Sequence, residues 1–182
     1  MTSQWLAAAN PLHTPASRDE ALRAARWGSI ALVISACWSA VVAIFTYLNH
    51  EQVTAAMIRA VPVQTDLPAE QAEATAAMSR ALMSSMSVPM LIISLVMCVV
   101  YLVLARVQWT RPNIVIPIVI LAFVAYGVFA GLLAMATNPM VRETAAGLQP
   151  VWLTAAGWVI QLVKAVLLVA SWRGAASLKR FG

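Results

Sequence analysis

The sequence predicts an all-α membrane protein: a four-transmembrane-helix bundle with a helical extramembrane hairpin between the first and second spans. Residues 112–141 carry no charge, which is enough chain for one helix across a hydrocarbon core of about 30 Å. Three further segments match this one in length and apolar character. Apolar residues make up 62% of the chain and charged residues 10%, whereas soluble domains average about 45–50% and about 25%.

We predict spans at about 27–49, 87–106, 113–137 and 150–172, within one domain of residues 17–182. Residues 1–16 mix Pro, Asn and Thr with a few apolar residues, so we expect a disordered or surface-lying tail. Ser17 and Glu20 have the S-x-x-E spacing of a capping box, which predicts that the first helix starts there.

The connection between the first two spans is the only sizeable one, and it is polar but rich in helix-forming residues. Asp66 and Pro68 have the pattern of a new helix start, so we expect a helix from about Ala69 through Met83. Pro89 either opens the second span or kinks one continuous helix from residue 68, and both alternatives stay open.

The basic residues predict the orientation of the chain. Three Lys or Arg residues flank the spans on one side, and eight flank them on the other: Arg18, Arg23, Arg26, Arg106, Arg111, Arg173, Lys179 and Arg180. The positive-inside rule therefore places both termini in the cytoplasm. Arg supplies ten of the twelve basic residues and Ala is abundant, a bias typical of GC-rich bacterial genomes. We therefore expect the chain to lie in a bacterial cytoplasmic (inner) membrane.

Two sets of small residues predict close helix packing, because small side chains let helix backbones approach in lipid. The third span carries Gly127-x-x-x-Gly131, with Ala134 on the same face. The first span carries a stripe at four-residue intervals: Ala31, Ser35, Ser39 and Ala43. We expect the glycine face to meet this stripe within the chain or to meet another chain, and glycines that merely face lipid are the alternative.

Lys164 is the one ionisable residue well inside a predicted span, and Gln161 lies three residues earlier on the same face. A charge within a membrane is by default a functional hypothesis, so the pair is a candidate polar site. Lys164 lies eight residues before Trp172, about 12 Å along a helix. Packing, or snorkelling of its stem toward the head groups, is therefore the favoured alternative.

The methionines Met83, Met86 and Met90 recur at helical spacing where the second span begins. Clustered thioethers can bind Cu(I). Methionine is also the flexible filler of helix interfaces, and no Cys reinforces the cluster. We therefore expect packing, keep these residues as the only metal candidates, and predict no cofactor.

No Asp, Glu or His occurs inside a predicted span, which disfavours carboxylate-driven transport and a haem held by two imidazoles. The chain also lacks C-x-x-C, H-E-x-x-H, G-x-S-x-G and Gly-rich phosphate-binding motifs. We therefore predict that the protein is not an enzyme. Its basic residues flank apolar runs and form no single basic face, so we expect no nucleic acid partner.

The sequence favours a non-catalytic structural or accessory subunit, or an assembly factor, of a larger membrane protein complex. Its expected partners are membrane lipids and either other membrane proteins or further copies of the chain. The alternative is a small oligomeric transport or channel component, with a polar path through Ser94, Thr154, Gln161 and Lys164. Such a path needs more polar residues on one face than these helices carry. Copper handling by the outer methionines is a third, weaker hypothesis.

Overall fold

The structure is a computed structural model that describes residues 8–12, 14–52, 55, 69–137 and 151–181. Every regular element in those ranges is a helix: α1 Arg18–Leu48, α2 Ala69–Thr110, α3 Val115–Thr137 and α4 Val151–Leu178. Each of the four contains a stretch that is long and apolar enough to cross a membrane. The predicted all-helical class and the four candidate spans are thus confirmed.

The other helices are arranged around α1. It packs along both α4 and α2, while α3 packs principally against α4. Within the most apolar stretch of each helix, the share of residues that are buried is 39% in α1, 28% in α4, 11% in α2 and 6% in α3. The core therefore lies along α1 and α4, and α3 contributes least to it.

The capping residues of α1 act as its sequence predicts. Ser17 Oγ accepts a hydrogen bond from the Glu20 backbone N–H at 3.3 Å, and Glu20 Oε2 accepts one from the Ala16 N–H at 2.7 Å. Asp19 and Glu20 also place negative charge in the first turn, where the helix dipole favours it. At the other end, the Asn49 N–H donates to Phe45 O at 3.0 Å and closes the last turn.

The longest helix, α2, runs for 42 residues and passes through Pro89 without a break. The continuous-helix alternative is therefore the one observed. At 1.5 Å per residue α2 is about 63 Å long, twice the thickness of a hydrocarbon core. Its candidate span begins at Leu91, so residues 69–90 form an extension beyond it, which we call the α2 extension. Most of the connection before Ala69 lies outside the described residues, and the predicted hairpin stays a prediction.

Burial on α3 is concentrated in its first turns. Asn113 caps the helix, because its Oδ1 accepts hydrogen bonds from the N–H groups of Val115 and Ile116, both at 3.0 Å. Pro117 is buried, and Ile120 packs against the apolar core. No described side chain of α3 beyond these turns is buried. This helix is thus anchored at one end.

A close contact between α1 and α4 forms where α4 carries Gly174. A Cβ on Gly174 would lie 2.5 Å from Ala25 N, 2.7 Å from Ala24 Cβ and 2.8 Å from Ala21 O. Only glycine leaves room for backbone at this position, so the helices meet through small residues as expected in lipid. The contact lies at the basic end of the bundle.

The described part of residues 1–16 lies on the bundle beside α4. Arg173 donates one hydrogen bond to the Pro11 carbonyl oxygen and another, 3.3 Å long, to Thr14 Oγ1. Ala8 is only 2% exposed, and Ala9 packs against the apolar core. These contacts tie the tail to the end at which α1 begins and α4 ends.

Candidate functional site

A cleft of about 780 Å³ lies between the helices, and all four helices contribute to its walls. Small-molecule sites in proteins typically measure roughly 300–1,000 Å³, so this cleft has the size of a ligand site. The residues that give it its chemical character are Trp38, Tyr101, Phe123, Gly127, Gly131, Thr154, Trp158, Gln161 and Lys164. The cleft therefore joins both members of the predicted polar site to the predicted glycine face.

Lys164 supplies the positive charge of the cleft. Its side chain is 6% exposed, and the residues that the structure describes give it no hydrogen bond or ion pair. In an α-helix the Cα–Cβ bond tilts toward the N-terminus, so this side chain starts toward the Val151 end of α4. The side chain therefore starts away from Trp172, which marks the end of α4 toward which Lys164 would snorkel. It starts instead in the direction along which the cleft runs.

Gln161 contributes a buried acceptor one turn before Lys164. Its Oε1 has no hydrogen-bond partner among the described residues. A buried polar atom without a partner destabilises a protein by about 1–3 kcal/mol, so such atoms call for an explanation. Gln161 and Lys164 therefore present an unpaired acceptor and an unpaired cation on the same face of α4.

Aromatic rings from all four helices form the remaining walls. Trp38 comes from α1, Tyr101 from α2, Phe123 from α3 and Trp158 from α4. Gly157 of α4 lies beside Trp38, since a Cβ added to it would be in van der Waals contact with Trp38 Cζ2 at 3.4 Å. Flat apolar rings around one cationic group are suited to an elongated apolar ligand with a charged end.

Gly127 and Gly131 of the glycine face of α3 both line this cleft. A Cβ added to Gly127 or Gly131 would meet no described atom within 4 Å, and both residues are exposed. Ala134 is half-buried. Within the described residues neither glycine contacts the α1 stripe, and a role of this face in packing against another chain stays a prediction.

The α1 stripe is covered by other residues. Ala31 packs against Leu167 and Leu168 of α4, while Ser35 and Ala43 are also buried and Ser39 is half-buried. Ser35 Oγ donates to the Ala31 carbonyl oxygen of its own helix at 2.8 Å. Because α4 already occupies much of this face, α3 has no access to it.

A second polar cluster, which nothing in the sequence pattern singled out, joins α1, α2 and α4. Gln108 of α2 is fully buried, and its Nε2 donates to Ala25 O at 3.3 Å, to Ser171 Oγ at 3.3 Å and to Asn113 O at 3.2 Å. Ser171 Oγ donates to Ala25 O at 2.6 Å, and Gln108 Oε1 accepts from the Asn113 N–H at 3.3 Å. All members have partners, so the cluster is a structural clamp and not a ligand site.

The copper hypothesis is not tested by the structure, because the side chains of Met83, Met86 and Met90 lie outside what it describes. Within the described residues, no three His, Cys, Asp or Glu side chains come together to hold a metal ion. The two cysteines, Cys37 and Cys98, are not joined in a disulfide.

The chain matches no protein-family model, no curated protein and no solved structure. Its function must therefore follow from the geometry of its own residues. Two features stand apart from ordinary helix packing: the cleft with its unpaired cation, and the α2 extension.

Proposed function

We propose that the chain is an integral protein of a bacterial cytoplasmic membrane, with four spans and both termini in the cytoplasm. In that membrane it serves as a non-catalytic accessory subunit or assembly factor of a larger protein complex. The four apolar helices and the concentration of basic residues at one end support the insertion and its orientation.

The main observation that supports the accessory role is the exposure of the α2 extension. No described side chain from Gln71 to Pro89 is buried. Most helices in proteins owe their stability to the packing of one face against another element. A helix that extends beyond the bilayer with its described side chains exposed is therefore suited to packing against another protein.

One face of the α2 extension is more apolar than the rest. Met78 is 68% exposed and Leu82 is 51% exposed, and they are one turn apart. Gln71 and Thr75 continue the same face toward the start of the helix. Exposed large apolar side chains outside a membrane are a common mark of a protein contact, so this face is the proposed docking surface.

The transport alternative has one specific observation in its favour. Thr154, Gln161 and Lys164 of the expected polar path all line the cleft. Ser94 is half-buried and does not contribute to the cleft. Most of the remaining lining is aliphatic or aromatic, which suits an apolar ligand better than a hydrated ion.

Co-purification from the native membrane tests the accessory role. The full chain is extracted in a mild detergent, and the proteins recovered with it are identified and quantified. We expect stoichiometric recovery of other membrane subunits. The variant Met78→Ser/Leu82→Ser should lose these partners, because it removes the apolar side chains of the docking surface.

The matched control is Glu73→Ser/Ala77→Ser, which places two serines at exposed positions on the other side of the helix, in the preceding turn. It should insert in the membrane and retain its partners. Equal loss from both variants would contradict the docking surface. Recovery of the wild-type chain as a lone monodisperse oligomer would contradict the accessory role and favour transport.

A further inference from the structure

We propose that the cleft binds an acyl chain with an acidic head group, with the acid paired to Lys164 and the chain lying along Gly127 and Gly131. This inference rests on the proposed insertion in a membrane, which brings acyl chains to the cleft. It does not depend on the identity of any partner protein.

The unpaired charge of Lys164 is the first ground for this proposal. An ammonium group that is removed from water without a counter-charge strongly destabilises a protein, so buried charges are normally paired. None of the described residues that line the cleft is Asp or Glu. A bound acidic group would supply the negative charge that the described lining of the cleft lacks.

Gln161 is the second and independent ground. Its Oε1 is buried and has no partner among the described residues, and Gln161 is one of the residues that line the cleft. The amide can accept a hydrogen bond from a head-group hydroxyl. If this amide is rotated by a half-turn, its Nε2 can instead donate a hydrogen bond to an anionic oxygen of the head group. Beside Lys164 it completes a site for a polar head.

The shape of the cleft argues for an elongated apolar tail. Leu153 and Lys164 both line it and lie eleven residues apart on α4, about 16 Å along the helix axis. The wall between them is aliphatic and aromatic, and the open space above Gly127 and Gly131 widens it. A single acyl chain satisfies this geometry, with its head at Lys164 and its tail toward Leu153.

Quenching of tryptophan fluorescence provides a direct assay, because Trp38 and Trp158 line the cleft. The full chain is purified and placed in nanodiscs of phosphatidylcholine. It is then titrated with a long-chain fatty acid that is brominated along its tail, since bromine quenches indole on contact. The methyl ester of the same acid serves as the neutral probe and measures quenching by simple partition into the bilayer.

We expect saturable quenching by the acid, with an affinity at least about tenfold higher than that of the ester, as loss of one charged hydrogen bond implies. Lys164→Met keeps the length of the stem and removes the charge, so it should reduce the affinity for the acid to that of the ester. Lys164→Arg should retain most of the affinity.

Filling the cleft tests its location without touching the charge. The variant Gly127→Leu/Gly131→Leu places two side chains in open space, so the protein should keep its thermal stability but lose saturable binding. The control Ala122→Leu/Ala125→Leu also introduces two leucines, at exposed positions of α3 that do not line the cleft, and it should bind normally. A control that binds as poorly as the filled variant would overturn the assignment to this cleft.

A third probe, phosphatidylglycerol with brominated chains, separates the two sources of acidic acyl chains. If the free acid binds and its binding depends on Lys164, the site is assigned to single-chain acids. If only phosphatidylglycerol binds in this way, the site is assigned to bilayer lipid. Both support an acidic head group on an acyl chain. Equal binding of acid and ester, an unaffected Lys164→Met variant, or no binding of either acidic probe would overturn it. The last result would favour a carboxylate from a partner protein, and the topology of the chain would be unaffected.

Discussion

Single residues fix how closely α1 and α4 approach. Gly28 of α1 faces Ser171, whose Oγ overlaps the position that a Cβ on Gly28 would occupy, and Gly174 of α4 faces the backbone of Ala21 and Ala25. Both glycines lie beside the Gln108 clamp, which bonds to Ala25 and Ser171. The basic end of the bundle is therefore held by close packing and by hydrogen bonds together.

Replacement of Gly174 by Val tests this contact. Overpacking of a tight interior contact typically lowers stability by about 1–3 kcal/mol, so we expect a clear fall in the unfolding temperature in detergent. The matched control is Gly127→Val, whose side chain enters the open cleft and should leave the unfolding temperature unchanged. Equal unfolding temperatures for the wild type and Gly174→Val would show that the two helices do not meet as described.

The role of a single residue can be predicted from the sequence when that residue differs strongly from its neighbours in the chain. Lys164 stands out as a charge in an apolar run, and the structure joins it with Gln161 in one cleft. Gln108 does not stand out, because it lies between Arg106 and Arg111 in a polar turn. Its importance arises from Ala25 and Ser171, which are 83 and 63 residues away.

At the scale of elements, the sequence predicts helix starts better than helix partners. Ser17 begins α1 because a capping side chain acts within one turn of its own position. The partner of a small-residue stripe is not specified in the same way, since any small face lets a backbone approach. Gly127 and Gly131 were therefore expected against α1, although the structure leaves them open toward the cleft.

The continuity of α2 through Pro89 predicts a defined pattern of amide exchange. Proline removes one backbone hydrogen bond and crowds the carbonyl of Ser85, so it weakens a helix without ending it here. We expect slow amide exchange in the candidate span. From Gln71 to Val88 we expect amide exchange that is slower than in an unstructured chain. In Pro89→Ala, exchange around position 89 should become slower still.

Hydrogen–deuterium exchange measured by mass spectrometry in detergent follows each of these segments. Coil-like exchange rates throughout residues 71–88 would contradict the helical extension. Faster exchange around position 89 in the Pro89→Ala variant would contradict a helix that is continuous at this point.

The molecule as a whole is tightly packed at one end and open at the other. Gly174, the Gln108 clamp, the anchored start of α3 and the docked tail all lie where α1 begins and α4 ends. This is also the end with eight basic residues. The cleft and the α2 extension lie beyond it, and both proposed binding surfaces are therefore separate from the structural clamp.

Thiol accessibility in intact cells decides whether the chain crosses the membrane in the proposed way. Native Cys37 and Cys98 are first replaced by Ala, and single cysteines are introduced at Glu73, on the α2 extension away from the docking surface, and at Lys179 beyond α4. Both positions are exposed, whereas the nearby Ser177 is 8% exposed and unsuitable for labelling. A membrane-impermeant thiol reagent is then added before or after permeabilisation.

A four-span chain with cytoplasmic termini predicts that Glu73→Cys reacts in intact cells and that Lys179→Cys reacts only after permeabilisation. The two positions are separated by three spans, so an odd number of crossings must place them on opposite sides. Reaction of both cysteines from the same side would contradict the four-span topology, and the reverse pattern would contradict the orientation given by the eight basic residues.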